Sequence, residues 1–112
     1  MSNLRNSVRL VGHLGNDPEV KVVGTNKKVA RLSIATNASY KNDSGEKVEE
    51  TQWHNLVLWN KNADVAEKHL HKGAEVSIEG KLTSRSYTDK AGIKRYVTEV
   101  VVNELLLLTK KN

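Results

Sequence analysis

The segment from Thr51 to Trp59 constrains the fold of this chain most, because it holds both of its tryptophans. The run Thr-Gln-Trp-His-Asn-Leu-Val-Leu-Trp is rich in β-branched and aromatic residues and precedes a helix-like pattern, so it predicts a strand. Side chains alternate along a strand. One face then carries Thr51, Trp53, Asn55, Val57 and Trp59, and the other carries His54, Leu56 and Leu58. The leucine face suits a core.

The tryptophan face mixes large aromatic residues with polar ones, which is unusual for a core layer. Six residues of strand separate Trp53 from Trp59, or roughly 20 Å. That distance suits two stacking sites along an extended ligand better than one small ligand. Burial of both tryptophans is the structural alternative, since tryptophan is usually well buried.

Size and charge restrict the class of protein. The chain has 112 residues, no Cys, a net charge of +5 and five aromatic residues, none of them Phe. We expect one domain without disulfide or thiolate chemistry, and a basic protein of this size favours polyanionic partners. The N-terminus has no apolar signal segment and no run approaches membrane-spanning length, so we expect a soluble, cytoplasmic protein without a membrane partner.

Four further strands and one helix are predicted around this segment. The strands are Val8–Gly15, with a short continuation at 20–23, then Lys28–Thr36, Ala74–Leu82 and Tyr96–Leu108. A helix of about ten residues follows Trp59, with Asn60 or Asn62 as its cap and Gly73 as its stop. This order predicts an all-β OB-fold, a five-stranded Greek-key barrel with one short helix between strands 3 and 4.

Two polar hairpins project from the predicted barrel. The first, Asn37–Glu50, carries Tyr40; the second, Thr83–Arg95, turns around Asp89–Gly92 and carries Tyr87. Pairing across the second turn places Tyr87 opposite Lys94. An aromatic residue on a polar hairpin has little core to enter, so we expect both tyrosines to be exposed.

Several segments of the chain resemble the bacterial single-stranded-DNA-binding proteins of the replication and repair machinery. Those that carry the resemblance are Val11-Gly-His-Leu-Gly-Asn-Asp-Pro-Glu-Val20, Ala30-Arg-Leu-Ser-Ile-Ala-Thr36, Glu50–Trp59, Ala63–Leu82 and Tyr87–Val100. The likeness runs from about Ser7 to Leu105. We therefore expect one OB-fold DNA-binding domain at 1–108, followed by a short basic C-terminal end at 109–112.

The resemblance implies specific roles for several residues. In the family, bases stack on aromatic residues at four places, which fall here on Tyr40, Trp53, Trp59 and Tyr87. The family usually assembles as a homotetramer, with a dimer as the alternative here, and the histidine matching His54 lies at a subunit contact. Most members also carry a flexible extension with an acidic tip that recruits repair proteins. The sequence has neither, so we do not expect recruitment of that kind.

Cations lie on or beside the predicted aromatic elements. Single strands are held by base stacking and by counterion release from phosphates, so these cations are candidate phosphate ligands. They are Arg31, Lys41, Lys61, Lys81, Arg85, Lys90, Lys94 and Arg95. Any one of them considered alone is more often a solvated charge. Stacking accepts every base, so we expect binding to be largely independent of sequence.

The enzyme alternative has little support. His69 and His71 are two residues apart near the helix end, so they do not share a face, and no ligand-spaced carboxylate pair accompanies them. Gly12-His-Leu-Gly15 follows a strand into a turn, which indicates backbone geometry and not a phosphate cradle. We predict no catalytic residue, no metal and no cofactor. A nuclease on the same fold would be the best enzyme candidate.

A second alternative is an OB-fold interaction module of a replication-restart complex that does not rely on base stacking. The four aromatic positions argue against it. The sequence therefore predicts a non-catalytic protein that binds and protects single-stranded DNA in replication, recombination and repair.

Overall fold

The computed structural model describes residues 5–108, which form six strands and one helix. In chain order they are β1 (Val8–Leu14), β2 (Glu19–Val23), β3 (Lys27–Lys41), β4 (Lys47–Trp59), α1 (Lys61–His69), β5 (Glu75–Thr88) and β6 (Lys94–Leu107). The predicted basic end at 109–112 lies outside the described residues.

Five of the strands close into a barrel. The sheet order is β1-β5-β6-β4-β3-β2, and a further pairing of β1 with β3 closes the ring. The β4–β6 pairing is parallel and joins Leu56 to Val100 and Val57 to Val101, whereas the other pairings are antiparallel. The short β2 continues β1 and pairs with β3. The predicted OB-fold is confirmed.

Strand alternation fills the barrel as the sequence predicts. Leu56 and Leu58 on β4 are buried opposite Leu32 and Ala30 on β3. The remaining core residues include Leu14, Ile34, Val76, Ile78, Val100 and Val102. No aromatic residue belongs to this core. The core of the described chain is therefore filled without any aromatic side chain.

Helix α1 covers one end of the barrel. It buries Ala63 and Ala66 and begins after Asn60, which has a positive φ of 52° and makes no side-chain cap bond. The Asn60 side chain instead accepts a bond from the backbone N–H of Lys28, at 3.2 Å. The helix ends at His69, before the predicted stop at Gly73, because the next residue, Leu70, is extended and enters the core.

The two hairpins have the same turn. Asn42 in the β3–β4 hairpin and Asp89 in the β5–β6 hairpin each accept two backbone N–H bonds through one side-chain oxygen. Each three-residue loop ends in a glycine, Gly45 or Gly92, at a φ of 80°. This geometry is typical of three-residue hairpin loops. It places Tyr87 opposite Arg95 and not opposite Lys94, which corrects the prediction by one residue.

The position at which β1 starts explains a second correction, which concerns Leu82 on β5. Alternation along the predicted strand Ala74–Leu82 predicts that Leu82 faces the core with Val76, Ile78 and Gly80, yet Leu82 is 49% exposed. Val8 at the start of β1 pairs with Gly80, so Leu82 lies beyond the barrel wall, where β5 runs into its hairpin. The Asn6 amide bonds the Leu82 backbone there, donating to its carbonyl and accepting from its N–H.

Candidate nucleic-acid interface

The outer face of β3 and β4 presents both tryptophans. Trp53 pairs with Ala35 and Trp59 pairs with Val29, so each indole stands beside a small or short side chain. Trp53 is 61% exposed and Trp59 is 40% exposed. The alternative that both are buried in the core is therefore wrong. The two rings project from the barrel wall at opposite ends of one strand segment.

Trp53 rests on a glycine. A Cβ placed on Gly15 would come within 2.3 Å of Trp53 Cζ3 and 2.8 Å of Cη2. Beneath the ring, Gly15 donates its N–H to the Ser33 carbonyl at 2.9 Å, and Asn16 Oδ1 accepts from the Ser33 N–H and hydroxyl at 3.0 and 2.9 Å. These bonds fix the backbone against which the indole lies. Gly15 thus has the structural role that the sequence indicated.

A groove of about 420 Å³ opens between the barrel wall and the β5–β6 hairpin. Its walls come from β3, β4, β5 and β6 and the turn after β1. The lining residues are Asn16, Glu19, Arg31, Leu32, Ser33, Asn55, Leu56, Arg85, Val97 and Glu99. Two of the predicted phosphate ligands, Arg31 and Arg85, therefore lie in one depression beside the tryptophan face.

Both groove arginines bind Glu99. Arg31 Nη1 lies 2.7 Å from Glu99 Oε2, and Arg85 Nε lies 3.0 Å from Glu99 Oε1. The sequence reasoning missed Glu99. An acid on the outward-facing side of the last strand, between Val97 and Val101, was the available signal.

The remaining predicted cations divide into two groups. Arg95 Nε bonds Asp89 Oδ2 at 2.9 Å, and this bond, with the backbone N–H of Ile93, holds the pKa of Asp89 below its ordinary value. Lys94 lies over the Tyr96 ring, 5.5 Å from its centroid. Within residues 5–108, Lys41, Lys61, Lys81 and Lys90 have no ion pair. These four lysines are the more available positive charges of the predicted set.

Lys81 and Arg31 stand at the two ends of one row of the outer face. Register pairs join Arg31 to Val57, Val57 to Val101 and Val101 to Lys81, across β3, β4, β6 and β5. The row has an apolar centre and a cation at each end. Val57 is itself buried, at 3% exposed, so the cations at the two ends are the exposed charged groups of this row.

The hairpin tyrosines lie on different faces. Tyr87 shares its face of β5 with Lys81 and Arg85, and the Arg85 guanidinium lies 5.9 Å from its ring centroid. Tyr40 pairs with Val48 and continues the side of β3 that carries Ile34, opposite the side of Trp53. Both are about half exposed. The structure therefore brings Tyr87 onto the tryptophan side and places Tyr40 on the reverse side of its hairpin.

Tyr96 is an exposed aromatic residue that the sequence reasoning did not select. It is 74% exposed and pairs with Ser86, on the side of the β5–β6 hairpin opposite Tyr87. The signal was available, since a chain without Phe and with an aliphatic core has no aromatic residue to spare for packing. All five aromatic residues lie outside the core.

His54 lies on β4, on the same side of the strand as the core residues Leu56 and Leu58. It pairs with Ile34, is half-buried and has its Nε2 3.0 Å from the Thr36 hydroxyl oxygen.

In the described part of the chain, no group of three or more His, Cys, Asp or Glu residues could hold a metal ion. Across residues 5–108, no helix has the length and apolar character needed to cross a membrane.

The fold and the site define a class. A closed OB barrel with exposed aromatic residues and two arginines in a groove on its outer face has the features of a protein that binds oligonucleotides by stacking and phosphate contacts.

Comparison with known proteins assigns the chain within that class. The model of the single-strand binding protein family matches residues 5–108, and the chain belongs to this family. It is 43% identical over 108 residues, 96% of this chain and 67% of the relative, to Single-stranded DNA-binding protein 1 of Chlorobaculum tepidum. A Plasmodium falciparum structure described as an SSB complex with ssDNA superposes with a TM-score of 0.87 at 28% identity, covering 97% of this chain and 99% of the other. The family that the sequence resembles is thereby confirmed as the family of this chain.

Proposed function

We propose that this member of the single-strand binding protein family binds single-stranded DNA along the outer face of β3 and β4 and the β5–β6 hairpin. Trp53 and Trp59 stack bases on the barrel wall, and Tyr87 does so from the β5–β6 hairpin. Tyr40 adds a stacking site at the β3–β4 hairpin, which the DNA reaches where it passes round the tip of that hairpin. Membership of the family and the ssDNA complex of the Plasmodium falciparum relative support this assignment.

The exposure of every aromatic residue carries the proposal. Exposing an indole to water has no benefit for a folded chain, since burying a large apolar side chain stabilises it by about 1.5–3 kcal/mol. This chain leaves both tryptophans and all three tyrosines at least 40% exposed while it fills its core with aliphatic residues. Base stacking on such rings contributes about 1–3 kcal/mol per base.

Phosphate contacts supply the second part of the affinity. Lys41, Lys61, Lys81 and Lys90 have no acidic partner among residues 5–108, so they meet the DNA backbone without first losing an ion pair. Arg31, Arg85, Lys94 and Arg95 complete the proposed set. Neither stacking nor phosphate contacts distinguish one base from another, so binding is largely independent of sequence.

The cellular role follows from this mode of binding. A protein that stacks the bases of a single strand competes with base pairing, so it removes secondary structure and protects the strand. Those properties serve replication, recombination and repair and require no catalysis and no cofactor. We place the protein in the cytoplasm with the bacterial nucleoid because its ligand is there.

Assembly into a homotetramer forms a further part of the proposal. Leu106 on the last strand is 62% exposed and Leu108, directly after that strand, is 40% exposed, while Leu105 and Leu107 pack against the core. A subunit contact would remove the outer leucines from water, and we propose that the half-buried His54 also lies at a subunit contact. Light scattering at micromolar concentration tests this, and a monomeric mass would refute it.

The test of DNA binding uses the tryptophans themselves. Both lie on the proposed DNA face, so titration with oligo-dT should quench intrinsic fluorescence, and added salt should weaken the binding. Duplex DNA is the control and should quench little. Absence of quenching and of binding at low salt would reject the proposal and favour the interaction-module alternative. Degradation of the oligonucleotide on addition of a divalent metal would favour a nuclease.

A further inference from the structure

Glu99 is an unusual residue for a surface that binds a polyanion. It is 7% exposed, and within residues 5–108 it is the only charged residue in the buried class. It lies on β6 with its side chain on the outer face, at the floor of the groove. A buried carboxylate is costly unless it is paired and hydrogen-bonded. The burial of Glu99 therefore requires cationic side chains beside it.

Each carboxylate oxygen of Glu99 has a different arginine. Arg31 reaches Oε2 from β3, on the barrel wall, and Arg85 reaches Oε1 from β5, at the base of the hairpin. The three charges sum to +1. The carboxylate thus joins the two walls of the groove and fixes the position of two long side chains that would otherwise sample many rotamers.

The ion pairs leave both arginines able to bind a second ligand. A guanidinium has five N–H donors, and the bonds to Glu99 use Nη1 of Arg31 and Nε of Arg85. The arginine side chains are 44% and 48% exposed, whereas the Glu99 side chain is 8% exposed. The acid lies beneath and the cations lie toward solvent. Arg85 also contacts the Tyr87 ring, so the network extends to a proposed stacking site.

We infer that Glu99 is a positioning residue for single-stranded DNA, which holds the guanidinium groups of Arg31 and Arg85 in the groove so that their remaining donors bind phosphate. This inference rests on the proposed function. A bidentate or forked guanidinium contact depends on orientation more than a lysine contact does, because the donors are planar and fixed. Without Glu99, the two arginines lose that orientation and the β5–β6 hairpin loses its tie to β3.

The inference opposes what net charge alone predicts. The charged residues that line the groove are Arg31, Arg85, Glu19 and Glu99. Replacing Glu99 by a neutral amide makes the local charge more positive and should strengthen binding to a polyanion. If Glu99 only repelled DNA, or only occupied the arginines, Glu99→Gln would bind more tightly. If Glu99 positions them, Glu99→Gln binds more weakly despite the added positive charge. The sign of the change separates the two cases.

The experiment measures oligo-dT binding by wild type and Glu99→Gln over a series of salt concentrations. We expect at least about threefold weaker binding, and a slope of log affinity against log salt that is smaller by about 1.4 if two phosphate contacts are lost. Thermal unfolding checks that the variant is folded. Glu104→Gln, an exposed acid on the same strand but outside this groove, is the charge-matched control and should not weaken binding.

A double-mutant cycle covers the case in which Glu99→Gln lowers stability. Arg31→Lys keeps the charge but not the fork, and it should weaken binding in the wild type yet add little in the Glu99→Gln background. Additive losses, equal or tighter binding by Glu99→Gln, or an unchanged salt slope would each overturn the inference while wild-type binding still stands. Failure of the wild type to bind oligo-dT would instead reject the proposed function.

Discussion

The six-membered ring of Trp53 occupies the space that a side chain on Gly15 would fill, since a Cβ there would lie 2.3 Å from Trp53 Cζ3. Real Cβ contacts do not approach so closely. A substitution at Gly15 must therefore move the indole, because the backbone beneath it is bonded to Ser33 and Asn16. The smallest residue of the turn determines the position of the most exposed tryptophan.

Gly15→Ala should weaken oligo-dT binding by displacing Trp53. The loss should not exceed that of Trp53→Ala, and the overpacking should lower the free energy of unfolding by about 1–3 kcal/mol. Intrinsic fluorescence of the free protein should change as the indole moves. Gly24→Ala is the control, since nothing lies within 4 Å of a Cβ at Gly24; it should leave fluorescence and DNA binding unchanged, although its φ of 59° costs some stability.

Replacing either tryptophan should remove one stacking site. Trp53→Ala and Trp59→Ala should each weaken binding of oligo-dT roughly 5- to 150-fold, which corresponds to about 1–3 kcal/mol per stacked base. Each variant keeps one indole as a fluorescent reporter. If one variant bound DNA normally and its remaining indole were still quenched, the replaced tryptophan would not be a stacking residue.

The two tyrosines of the β5–β6 hairpin provide a matched pair. Tyr87 faces the groove side with Arg85, whereas Tyr96 lies on the reverse side with Lys94. Tyr87→Ala should weaken oligo-dT binding roughly 5- to 150-fold and Tyr96→Ala should leave it nearly unchanged. Fluorescence titration of the two variants in parallel measures this. Equal losses would mean that DNA contacts both faces of the hairpin.

Lys81 should contribute one phosphate contact. It stands at one end of the row that crosses the outer face to Arg31, and the described residues give it no acidic partner. Lys81→Gln should reduce the slope of log affinity against log salt by about 0.7, the value for one contact with a single strand. Lys68→Gln removes the same charge from the last turn of α1 and should not alter the slope.

The ion pair between Lys28 and α1 should make stability depend on pH. Lys28 Nζ lies 2.6 Å from Asp64 Oδ1 and 2.9 Å from Glu67 Oε1. The hydrogen bond that Lys28 donates lowers the pKa of Asp64 below its ordinary 3.8. The bonds that Lys28 donates to Asp64 and, second, to Glu67 raise the pKa of Lys28 above 10.5. Asp64 therefore stabilises the fold above pH 3.8 and loses this effect as pH falls further. Lys28 stabilises it below pH 10.5 and loses this effect as pH rises further.

Lys28→Met should accordingly be less stable than wild type near neutral pH, and the difference should shrink on acidification below pH 3.8. Urea unfolding across that range measures the difference. Lys27→Met, at a neighbouring exposed lysine without an ion pair among the described residues, should give no comparable pH-dependent difference. A difference for Lys28→Met that stayed constant into acid would contradict the assignment.

Alternation along strands allowed the sequence to predict most of the fold. The burial of Leu56 and Leu58 and the exposure of Trp53 and Trp59 follow from a period of two, which local sequence records directly. The turn at Asp89 was assigned correctly, but its three-residue loop shifts the pairing of Tyr87 by one residue, a difference that loop geometry decides. Helix α1 ends early because Leu70 is needed in the core, and a tertiary contact of that kind outweighs a local stop signal.

The site was harder to predict than the fold. The aromatic residues were identifiable because each is recognised singly from its position on a strand or hairpin, whereas the Arg31–Glu99–Arg85 network joins three strands that are far apart in sequence. Sequence reasoning therefore selected both arginines and missed the acid that holds them. The base-stacking and phosphate roles remain predictions for the experiments above.

Because the two hairpins have matching turns, the length of each hairpin is independent of the packing of the barrel. Each turn is closed by its own Asn or Asp side chain and a glycine with positive φ, with no help from the barrel. Hydrogen-bonded pairs recur at every second residue of an antiparallel ladder. Adding two residues on each arm next to the turn therefore keeps both the turn and the pairing nearer the barrel, so Tyr87, Arg85 and Trp53 keep their faces. The length of each hairpin can thus change while the barrel itself stays the same.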